Sequence, residues 1–351
     1  MRNFLYVANP ARVLFGAGTL GKLPEEVERL GLSRVMVVST PGREGHARPI
    51  AQLLGSRAAG IFARAQMHTP VEVTEAAITT AREIRADGLV AAGGGSTTGL
   101  AKAIAFRTNL PQIVAPSTYA GSEMTPILGE TRDGEKTTLM SPKVLPEVVI
   151  YDVELTLSLP VATSVASGMN AVAHAVEALY ARDTNPIVTM MAEEAIGAMA
   201  EALPVIASDP SDIEARAEAL YAAWLGGVCL GSVGMALHHK LCHTLGGTFG
   251  LPHAETHTAV VPQALAYNAP AVPEAVVKIN RALKTRDAPR ALFELAKGLG
   301  GRMALRDLGM PGDGVDRAVE LALASPYLNP RPLEREPLRA LLRDALEGKS
   351  P

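Results

Sequence analysis

Cysteine is scarce in this chain, which contains only Cys229 and Cys242 among its 351 residues. Two thiols without a CxxC spacing argue against a zinc ribbon and against a disulfide framework. We expect a reducing, cytoplasmic location. The N-terminal segment carries a positive charge but only a short, interrupted apolar stretch, which is not typical of a signal peptide.

Long apolar runs and blocks of like charge are missing as well. Although 48% of the residues are hydrophobic, no run reaches the roughly 20 residues that a membrane-spanning helix needs. The net charge is -3, and no basic cluster stands out. We therefore expect that neither a membrane nor a nucleic acid is a partner of this protein.

The first half of the chain alternates between short apolar runs and segments with helical periodicity, such as 71–86. Short apolar runs that end in turn-forming residues are typical of buried parallel strands. The alternation predicts an α/β fold, in which a Rossmann-like parallel sheet carries helices on both faces. The predicted strands are 33–40, 60–68, 87–95, 111–118 and 146–152.

Beyond Pro160 the strand-like runs end, and long segments rich in Ala and Leu follow. A chain of this length can form two domains. We therefore predict an NAD(P)-type α/β domain at 1–159 and an all-helical substrate domain at 160–351. Helices are predicted at 163–182, 186–207, 212–231, 232–247, 258–268, 273–283 and 289–299, with two or three more in the tail.

The sequence AAGGGSTTGLAKAIA places three glycines between a predicted strand and a predicted helix. Glycine lets the backbone approach a phosphate group closely, and a helix N-terminus offers free N–H groups. Gly94, Gly95 and Ser96 are therefore candidate cofactor ligands, although a tight turn that binds nothing would have the same sequence. The GxGxxG fingerprint of the standard Rossmann fold is absent.

A second loop, PSTYAGSEMTP, follows another predicted strand. Its hydroxyl groups make Ser117, Thr118 and Ser122 candidate cofactor ligands, and Lys136 is a candidate for a contact with a ribose or a phosphate. Loops at the carboxyl ends of parallel strands flank the crevice in which open α/β sheets bind their ligands.

The segment HHKLCHTLGGTFGLPH at 238–253 contains four histidines. His239 and His243 are four residues apart, so they share a face if the segment is helical. His253 follows after a glycine-rich break. This spacing is typical of a metal site, whereas packed core histidines are the alternative interpretation.

These motifs, together with SPKVLPEVVIYDVELTLSLP and SGMNAVAHAVEALY, resemble the iron-containing (group III) alcohol dehydrogenase family in order and spacing over almost the entire chain. The resemblance implies a dehydroquinate synthase-like architecture, with an N-terminal dinucleotide-binding domain, an all-helical C-terminal domain and NAD(P) in the cleft between them. It also implies a homodimer, to which the segment NFLYVANPARVLFG would contribute an exposed strand.

In metal-dependent members of this family, an Asp stands where this chain has Asn170, and it ligates a divalent metal with the residues that match His174, His239 and His253. Another Asp of the family is replaced by Gly99. Both changes resemble one branch, whose members are regarded as working without a metal. Because hard ions such as iron(II) favour sites with a carboxylate, we expect no metal here. Three imidazoles can nevertheless hold zinc.

The resemblance to that branch implies reduction of a dianionic keto-dicarboxylate during the breakdown of aromatic compounds. NADH or NADPH would transfer a hydride to a C=C bond conjugated to the ketone, and the resulting enolate would be protonated. His243 is the candidate proton donor, while His174, His239 and His253 would hold the enolate oxygen and a carboxylate. Loss of the Asp is expected to favour a dianion and to raise the histidine pKa values.

Substrate carboxylates need partners, and arginine binds both oxygens of a carboxylate at once. Arg331 in PYLNPRP is the first candidate, with Tyr327 and Asn329 beside it, although a rigid loop that packs the tail would have the same sequence. Tyr119 is a further candidate, and Asn170 would orient a histidine or donate a hydrogen bond to the substrate.

Two other functions fit the same residues. The first is an alcohol or aldehyde dehydrogenase that keeps a divalent metal on three histidines, and the second is a nucleotide sensor without activity. The choice between NADH and NADPH stays open, because Ser39 and Thr40 stand where an acidic residue would repel a 2'-phosphate.

Overall fold

The computed structural model describes residues 4–9, 11–42, 44–132, 135–324 and 327–351, without the side chains of 44–46, 135 and 136. Two compact units make up this part of the chain. The first is Asn9–Leu159, and the second joins residues 4–8 to Pro160–Pro351. Residues 4–8 thus group with the helical part, whereas the sequence-based division had placed them with the α/β part.

Strands and helices alternate in the first unit. Its described strands are β1 (Arg12–Phe15), β2 (Val35–Val38), β3 (Ala58–Phe62), β4 (Gly88–Gly93), β5 (Gln112–Pro116), β6 (Ile127–Arg132), β7 (Glu135–Met140) and β8 (Val148–Tyr151). Its described α-helices are α1 (Leu23–Arg29), α2 (Glu44–Leu54), α3 (Val71–Glu83) and α4 (Gly95–Thr108).

The main sheet is parallel and has the strand order β1-β8-β5-β4-β2-β3, while β6 and β7 form a separate antiparallel hairpin. Alternate residues of each strand face opposite sides of a sheet. Val35 and Val37 accordingly pack in a core with α1 and α2, whereas Met36 and Val38 pack in a core with α3 and α4. The predicted parallel α/β sheet with helices on both faces is therefore confirmed.

The second unit is helical throughout its described residues. Its α-helices are α5 (Val161–Tyr180), α6 (Pro186–Ser208), α7 (Ile213–Ser232), α8 (Leu237–Phe249), α9 (His253–Asn268), α10 (Pro273–Ala282), α11 (Ala288–Gly298), α12 (Gly314–Ala324) and α13 (Arg335–Glu347). No single one of them is both long enough and apolar enough to cross a membrane, although α7 and α8, which meet at 94°, would pass as a bent pair.

Part of the N-terminal segment expected to offer an exposed strand, residues 12–15, forms β1 at the edge of the sheet, where it pairs with β8. Its contribution to a homodimer stays a prediction. One prediction about an individual element was wrong. The helix predicted at 258–268 begins earlier, at His253. The earlier start matters, because it brings two histidines into the first turns of α9.

Candidate active site

Histidines from three helices of the second unit meet in one cluster. The central helix, α5, is buried at every residue from Ser164 to Tyr180, and α8 ends at Gly250, whose φ of 67° reverses the chain toward α9. The cluster contains His174 from α5, His238, His239 and His243 from α8, and His253 and His257 from α9.

His174, His239 and His257 form the centre of this cluster. The ring centroid of His239 lies 5.1 Å from that of His174 and 4.9 Å from that of His257. One nitrogen from each of the three rings falls within 4.8 Å of the others. All three side chains are buried, so the centre is a compact group of imidazoles away from water.

His238 and His257 belong to the cluster although the sequence analysis gave them no role. Their ring centroids are 4.8 Å apart, and Nε2 of His238 donates to the carbonyl oxygen of His257 over 3.1 Å. Because the helix at 258–268 was predicted to begin too late, His257 was not placed on the same helical face as His253. The four-residue spacing of these two histidines was the signal that could have found it.

His243 and His253 extend the cluster outward. The ring of His253 lies 4.2 Å from that of His257 and 6.4 Å from that of His243, measured between centroids. His243 is exposed and His253 is half-buried. The predicted proton donor therefore lies at the solvent-facing end of a chain of rings that leads to the buried centre.

Glu177 is a further functional candidate, which the sequence analysis missed. It lies on α5 and is fully buried. Its Oε2 accepts a hydrogen bond of 2.6 Å from Nδ1 of His239, and its carboxylate also accepts from the backbone N–H groups of Ala236, His238 and His239. Burial raises the pKa of Glu177, whereas these donors lower it. Four converging N–H donors favour the ionised form.

Several buried polar atoms of the cluster lack a hydrogen-bond partner among the described residues. A buried polar atom without a partner costs roughly 1–3 kcal/mol, so their convergence in one place indicates a site for a ligand. Asn170 is buried, lies one helical turn before His174 on α5 and contributes one such atom. The atoms are Oδ1 of Asn170, Nδ1 of His174, Nδ1 of His238, Nε2 of His239 and both ring nitrogens of His257.

The buried histidines are neutral in the free protein. Burial, followed by repulsion from neighbouring histidines, lowers the pKa of His238 to about 4 and that of His239 to about 3. The pKa values of His174 and His257 also fall well below the usual range for the same reasons. The expectation of raised histidine pKa values was wrong, because replacing a carboxylate with an amide removes a charge that would favour imidazolium.

The donor atoms of the cluster do not fit an iron(II) ion. They comprise neutral imidazole nitrogens and the amide oxygen of Asn170, while hard divalent ions favour at least one carboxylate. Glu177 offers a carboxylate near His238 and His239, but four N–H groups already bind its oxygens. A zinc ion on three imidazoles is compatible with the nitrogens of His174, His239 and His257.

In the segment 327–331, the side chain of Asn329 is held by hydrogen bonds within the protein. Oδ1 of Asn329 accepts from the backbone N–H of Leu237 and from Asn268, and its Nδ2 donates to Asn268 and to the carbonyl of Arg331. The substrate contact predicted for Asn329 is therefore not supported, since its amide is engaged within the protein. Asn329 instead helps to hold the first turn of α8.

Arg331 and Tyr327 differ from Asn329 in this respect. The guanidinium of Arg331 stacks over the ring of Tyr267 at 4.3 Å and uses Nη1 to donate to the Tyr267 carbonyl. No carboxylate among the described residues forms an ion pair with it. The hydroxyl of Tyr327 is buried and has no partner in the described part of the chain, and Nζ of Lys240 lies 5.6 Å above its ring centroid. Arg331 and Tyr327 thus remain candidate substrate ligands.

The two loops predicted to bind a cofactor contact each other in the first unit. The N–H of Ser117 donates to the carbonyl of Gly93 over 3.0 Å. A Cβ on Gly94 would come within 3.0 Å of the Thr118 side chain, and one on Gly93, whose φ is 149°, within 2.6 Å of Thr97. Glycine is therefore required where the strand β4 turns into α4.

This turn fits the phosphates of a dinucleotide. Gly94 is the N-cap of α4 without a side-chain hydrogen bond to the helix end, and the hydroxyl oxygens of Thr97 and Ser122 are buried and have no partner among the described residues. Gly95 and Ser96 begin the helix, whose free N–H groups attract anions. Lys136 lies in β7, but its side chain is outside the described part of the structure.

Tyr119 has no accessible surface. It follows Ser117 and Thr118 in the loop after β5. The direct contact with a substrate that the sequence analysis assigned to it is not supported, because its side chain is packed inside the described structure.

Comparison with known proteins places these features in context. The chain matches the Iron-containing alcohol dehydrogenase family over residues 10–153 and the C-terminal part of the Fe-containing alcohol dehydrogenase family over residues 164–346. It is 56% identical over 348 residues to a maleylacetate reductase of Sphingobium indicum, with 99% of each chain covered, and 55% identical over 351 residues to one of Rhizobium sp., with 100% of each covered. A crystal structure of maleylacetate reductase from Agrobacterium tumefaciens covers 100% of both chains, with a TM-score of 0.96 and 55% identity.

Proposed function

This chain belongs to the iron-containing alcohol dehydrogenase family, and we propose that it is a maleylacetate reductase that uses NADH or NADPH without a metal. Its similarity to maleylacetate reductases extends over the full chain. The observation that carries the metal-free part of the proposal is a cluster of buried, neutral histidines in which α5 carries an amide, Asn170, one turn before His174 instead of a carboxylate.

Maleylacetate has a C=C bond that carries a carboxylate on one side and a ketone on the other, and its second carboxylate lies beyond the ketone. When bound at the Gly94 turn, the reduced nicotinamide supplies a hydride to the alkene carbon β to the ketone. The electron pair of the C=C bond moves to the ketone oxygen as an enolate, and a proton then adds to the α carbon. The product is 3-oxoadipate. The protein must stabilise the enolate oxygen and deliver this proton.

The histidine cluster supplies the groups that these two tasks need. A neutral imidazole carries one N–H and one lone pair, and neither ring nitrogen of His257 is engaged within the described residues. His257 and its neighbours can therefore direct N–H groups to an enolate oxygen in a site without bulk water, where such bonds are strongest. His243, at the exposed end, exchanges protons with solvent and donates to the α carbon.

The two carboxylates of the substrate require donors as well. The hydroxyl of Tyr327, which lacks a partner, and the guanidinium of Arg331 are the donors that we assign to a carboxylate. Lys240, beside the ring of Tyr327, adds a positive charge to the same region. We leave Asn329 out of this set because its amide is already fully used.

A metal-dependent alcohol or aldehyde dehydrogenase is the second candidate function. The observation that favours it is the convergence of the His174, His239 and His257 nitrogens within 4.8 Å, which would suit zinc. Metal analysis of the freshly purified protein, with and without chelator, separates the two. A nucleotide sensor without activity would bind NADH but would not oxidise it, whichever substrate is added.

The test of the proposed function is direct. Protein, NADH and maleylacetate are mixed in the presence of a strong chelator, and the absorbance band of NADH is followed. We expect it to decay at the same rate as without chelator, with 3-oxoadipate as the product. No decay in either sample would overturn the reductase assignment, whereas decay that needs added zinc or iron would overturn its metal-free part.

We also propose that the protein works as a cytoplasmic homodimer. Both cysteines, Cys229 and Cys242, are buried thiols that form no disulfide with each other, which suits a reducing location. The full-length similarity to the relatives above supports treating the chain as one kind of enzyme with them. Light scattering of the purified protein would give the mass of the assembly, and a monomeric mass would overturn the dimer.

A further inference from the structure

Lys102 is a fully buried lysine in the first unit, whereas the histidine cluster belongs to the second. It projects from α4, and 1% of its side-chain surface is exposed. Its ammonium donates to the carbonyl oxygens of Ser122, Thr125 and Ile127 and to the hydroxyl of Thr125. Three of these acceptors belong to the segment between β5 and β6, and the fourth is the carbonyl of Ile127, the first residue of β6, so one side chain ties α4 to that whole segment.

A buried acid accompanies this lysine. Glu123 is in the same segment, is 1% exposed and accepts a hydrogen bond of 2.8 Å from the hydroxyl of Tyr151 at the end of β8. The field of Glu123 favours the charged form of Lys102, whereas burial lowers the pKa of Lys102 to about 7. Three carbonyl oxygens around one nitrogen, together with a Thr125 hydroxyl that gives its own proton to the Ser122 carbonyl, also favour the ammonium.

We propose that Lys102 is a positioning residue for the nicotinamide cofactor. Its ammonium fixes the segment 117–127 against α4, and α4 begins at the glycine turn. The two loops assigned to the cofactor therefore keep one fixed spacing. This inference rests on the proposed use of a nicotinamide cofactor, but not on the identity of the substrate.

A purely structural role would not explain why position 102 is a lysine. Burying a charge is expensive, and apolar residues of similar volume often stabilise a fold at least as well. A lysine is needed if the carbonyls of Ser122, Thr125 and Ile127 must all turn inward toward one point. Such a turn fixes the backbone of the loop that carries Ser117 and Thr118, which a packed methyl group cannot do.

The test replaces the charge and keeps the length. Lys102→Met is compared with Arg216→Met, which removes another fully buried cation, one that binds Ser164 and the carbonyl of Pro210 in the second unit. NADH binding is measured without substrate by the fluorescence of the nucleotide. We expect the Kd of NADH to rise about tenfold in Lys102→Met and less than about twofold in Arg216→Met.

Steady-state kinetics give the second readout. In Lys102→Met we expect the KM for NADH to rise about tenfold while kcat at saturating NADH falls less than about threefold, because the residue positions the cofactor and touches no reacting atom. If both variants lose thermal stability but bind NADH as the native protein does, the role is merely structural and the proposal is overturned.

A milder variant decides the matter if Lys102→Met does not fold. Thr125→Val removes one acceptor and keeps the shape, and we expect the Kd of NADH to rise about threefold. An unchanged Kd in that variant would overturn the proposal. If the native protein binds NADH but does not reduce maleylacetate, the proposed substrate fails while the role of Lys102 is still measured.

Discussion

The buried carboxylate of Glu177 accepts a 2.6 Å hydrogen bond from Nδ1 of His239, and this contact determines which side of the ring faces the cluster. With its proton on Nδ1, the neutral ring turns the lone pair of Nε2 toward His174 and His257. Carboxylates that hold a functional histidine in this way set its tautomer and orientation. Because Glu177 also accepts from the first N–H groups of α8, it fixes the helix and the ring together.

Glu177→Gln should lower activity although glutamine has nearly the same shape as glutamate. The amide nitrogen must face at least one of the N–H groups that now donate to the carboxylate, so a buried donor loses its acceptor and the charge disappears. We expect kcat to fall about 10–100-fold and the free energy of unfolding to fall by about 1–3 kcal/mol. Kinetics with maleylacetate and urea unfolding measure the two effects.

The control for this variant is Glu201→Gln, which alters an exposed ion pair with Lys284 on the same unit. It should leave kcat and stability nearly unchanged, since exposed pairs contribute little. Native kcat in Glu177→Gln would show that the contact with His239 is irrelevant to turnover.

Asn170→Asp should convert the cluster into a metal site. The variant would place a carboxylate one helical turn from His174 in a cluster where His174, His239 and His257 each have a ring nitrogen without a partner among the described residues. Carboxylate together with imidazole is a donor set that divalent transition metals accept. We expect the purified variant to contain near-stoichiometric zinc or iron and to lose most of its activity in chelator. Elemental analysis after dialysis checks the first point.

Asn170→Ala is the matched control, because it removes the same amide without adding a charge. It should remain free of metal. If Asn170→Asp also stays free of metal after exposure to zinc and iron(II), the missing carboxylate is not what keeps metal out of this cluster.

The sheet could be predicted from sequence because its strands are local signals. Each central strand is a short apolar run, and β2, β4, β5 and β8 lie within their predicted segments. The hairpin of β6 and β7 was missed. Buried residues alternate with more exposed ones along β6, so it lacks the continuous apolar pattern of a central strand.

The candidate site was only partly predictable for a different reason. Asn170, His174 and Glu177 lie four and then three residues apart on α5, so they share one face of the helix. This spacing alone could have identified Glu177 as a candidate site residue. The resemblance directed attention to the first two positions. The approach of His257 to His174 and His239 depends on how three helices pack, and no spacing in the sequence contains that information.

Tyr327→Phe should separate a substrate contact from a structural role. The hydroxyl of Tyr327 has no partner in the described structure, so its loss should leave the free energy of unfolding unchanged within about 0.5 kcal/mol. If it binds a carboxylate, the KM for maleylacetate should rise about tenfold. Asn329→Ala should show the reverse, with lower stability and a nearly unchanged KM. A native KM in Tyr327→Phe would remove Tyr327 from the substrate site.

The stability of the native protein should rise with pH between about 7.5 and 9.5. The pKa of Lys102 is about 7 in the folded state and near its usual value of 10.5 when unfolded, so the unfolded state binds more protons in this window. The free energy of unfolding therefore increases with pH, and this group contributes about 2 kcal/mol between pH values of about 7.5 and 9.5. Tyr151, whose pKa is raised by burial and by the nearby Glu123, stays protonated there.

Urea unfolding of the native protein and of Lys102→Met at both pH values measures this increment as a difference. The variant lacks the titrating group, so its stability should change less with pH. Equal slopes in the two proteins would mean that Lys102 keeps its ordinary pKa inside the fold.

His243→Asn should test the outward end of the histidine chain. His243 is exposed, and its ring centroid lies 6.3 Å from that of His239 and 6.4 Å from that of His253. If it delivers the proton to the α carbon, its loss should lower kcat about 100-fold or more and leave the Kd of NADH unchanged.

The control is His68→Asn in the first unit, where a φ of 65° suits asparagine and kcat should stay native. Because the exposed position allows small acids to enter, added imidazole should restore part of the activity of His243→Asn. Full activity in that variant without imidazole would assign the proton to a buried ring, and His253 would be the next to replace.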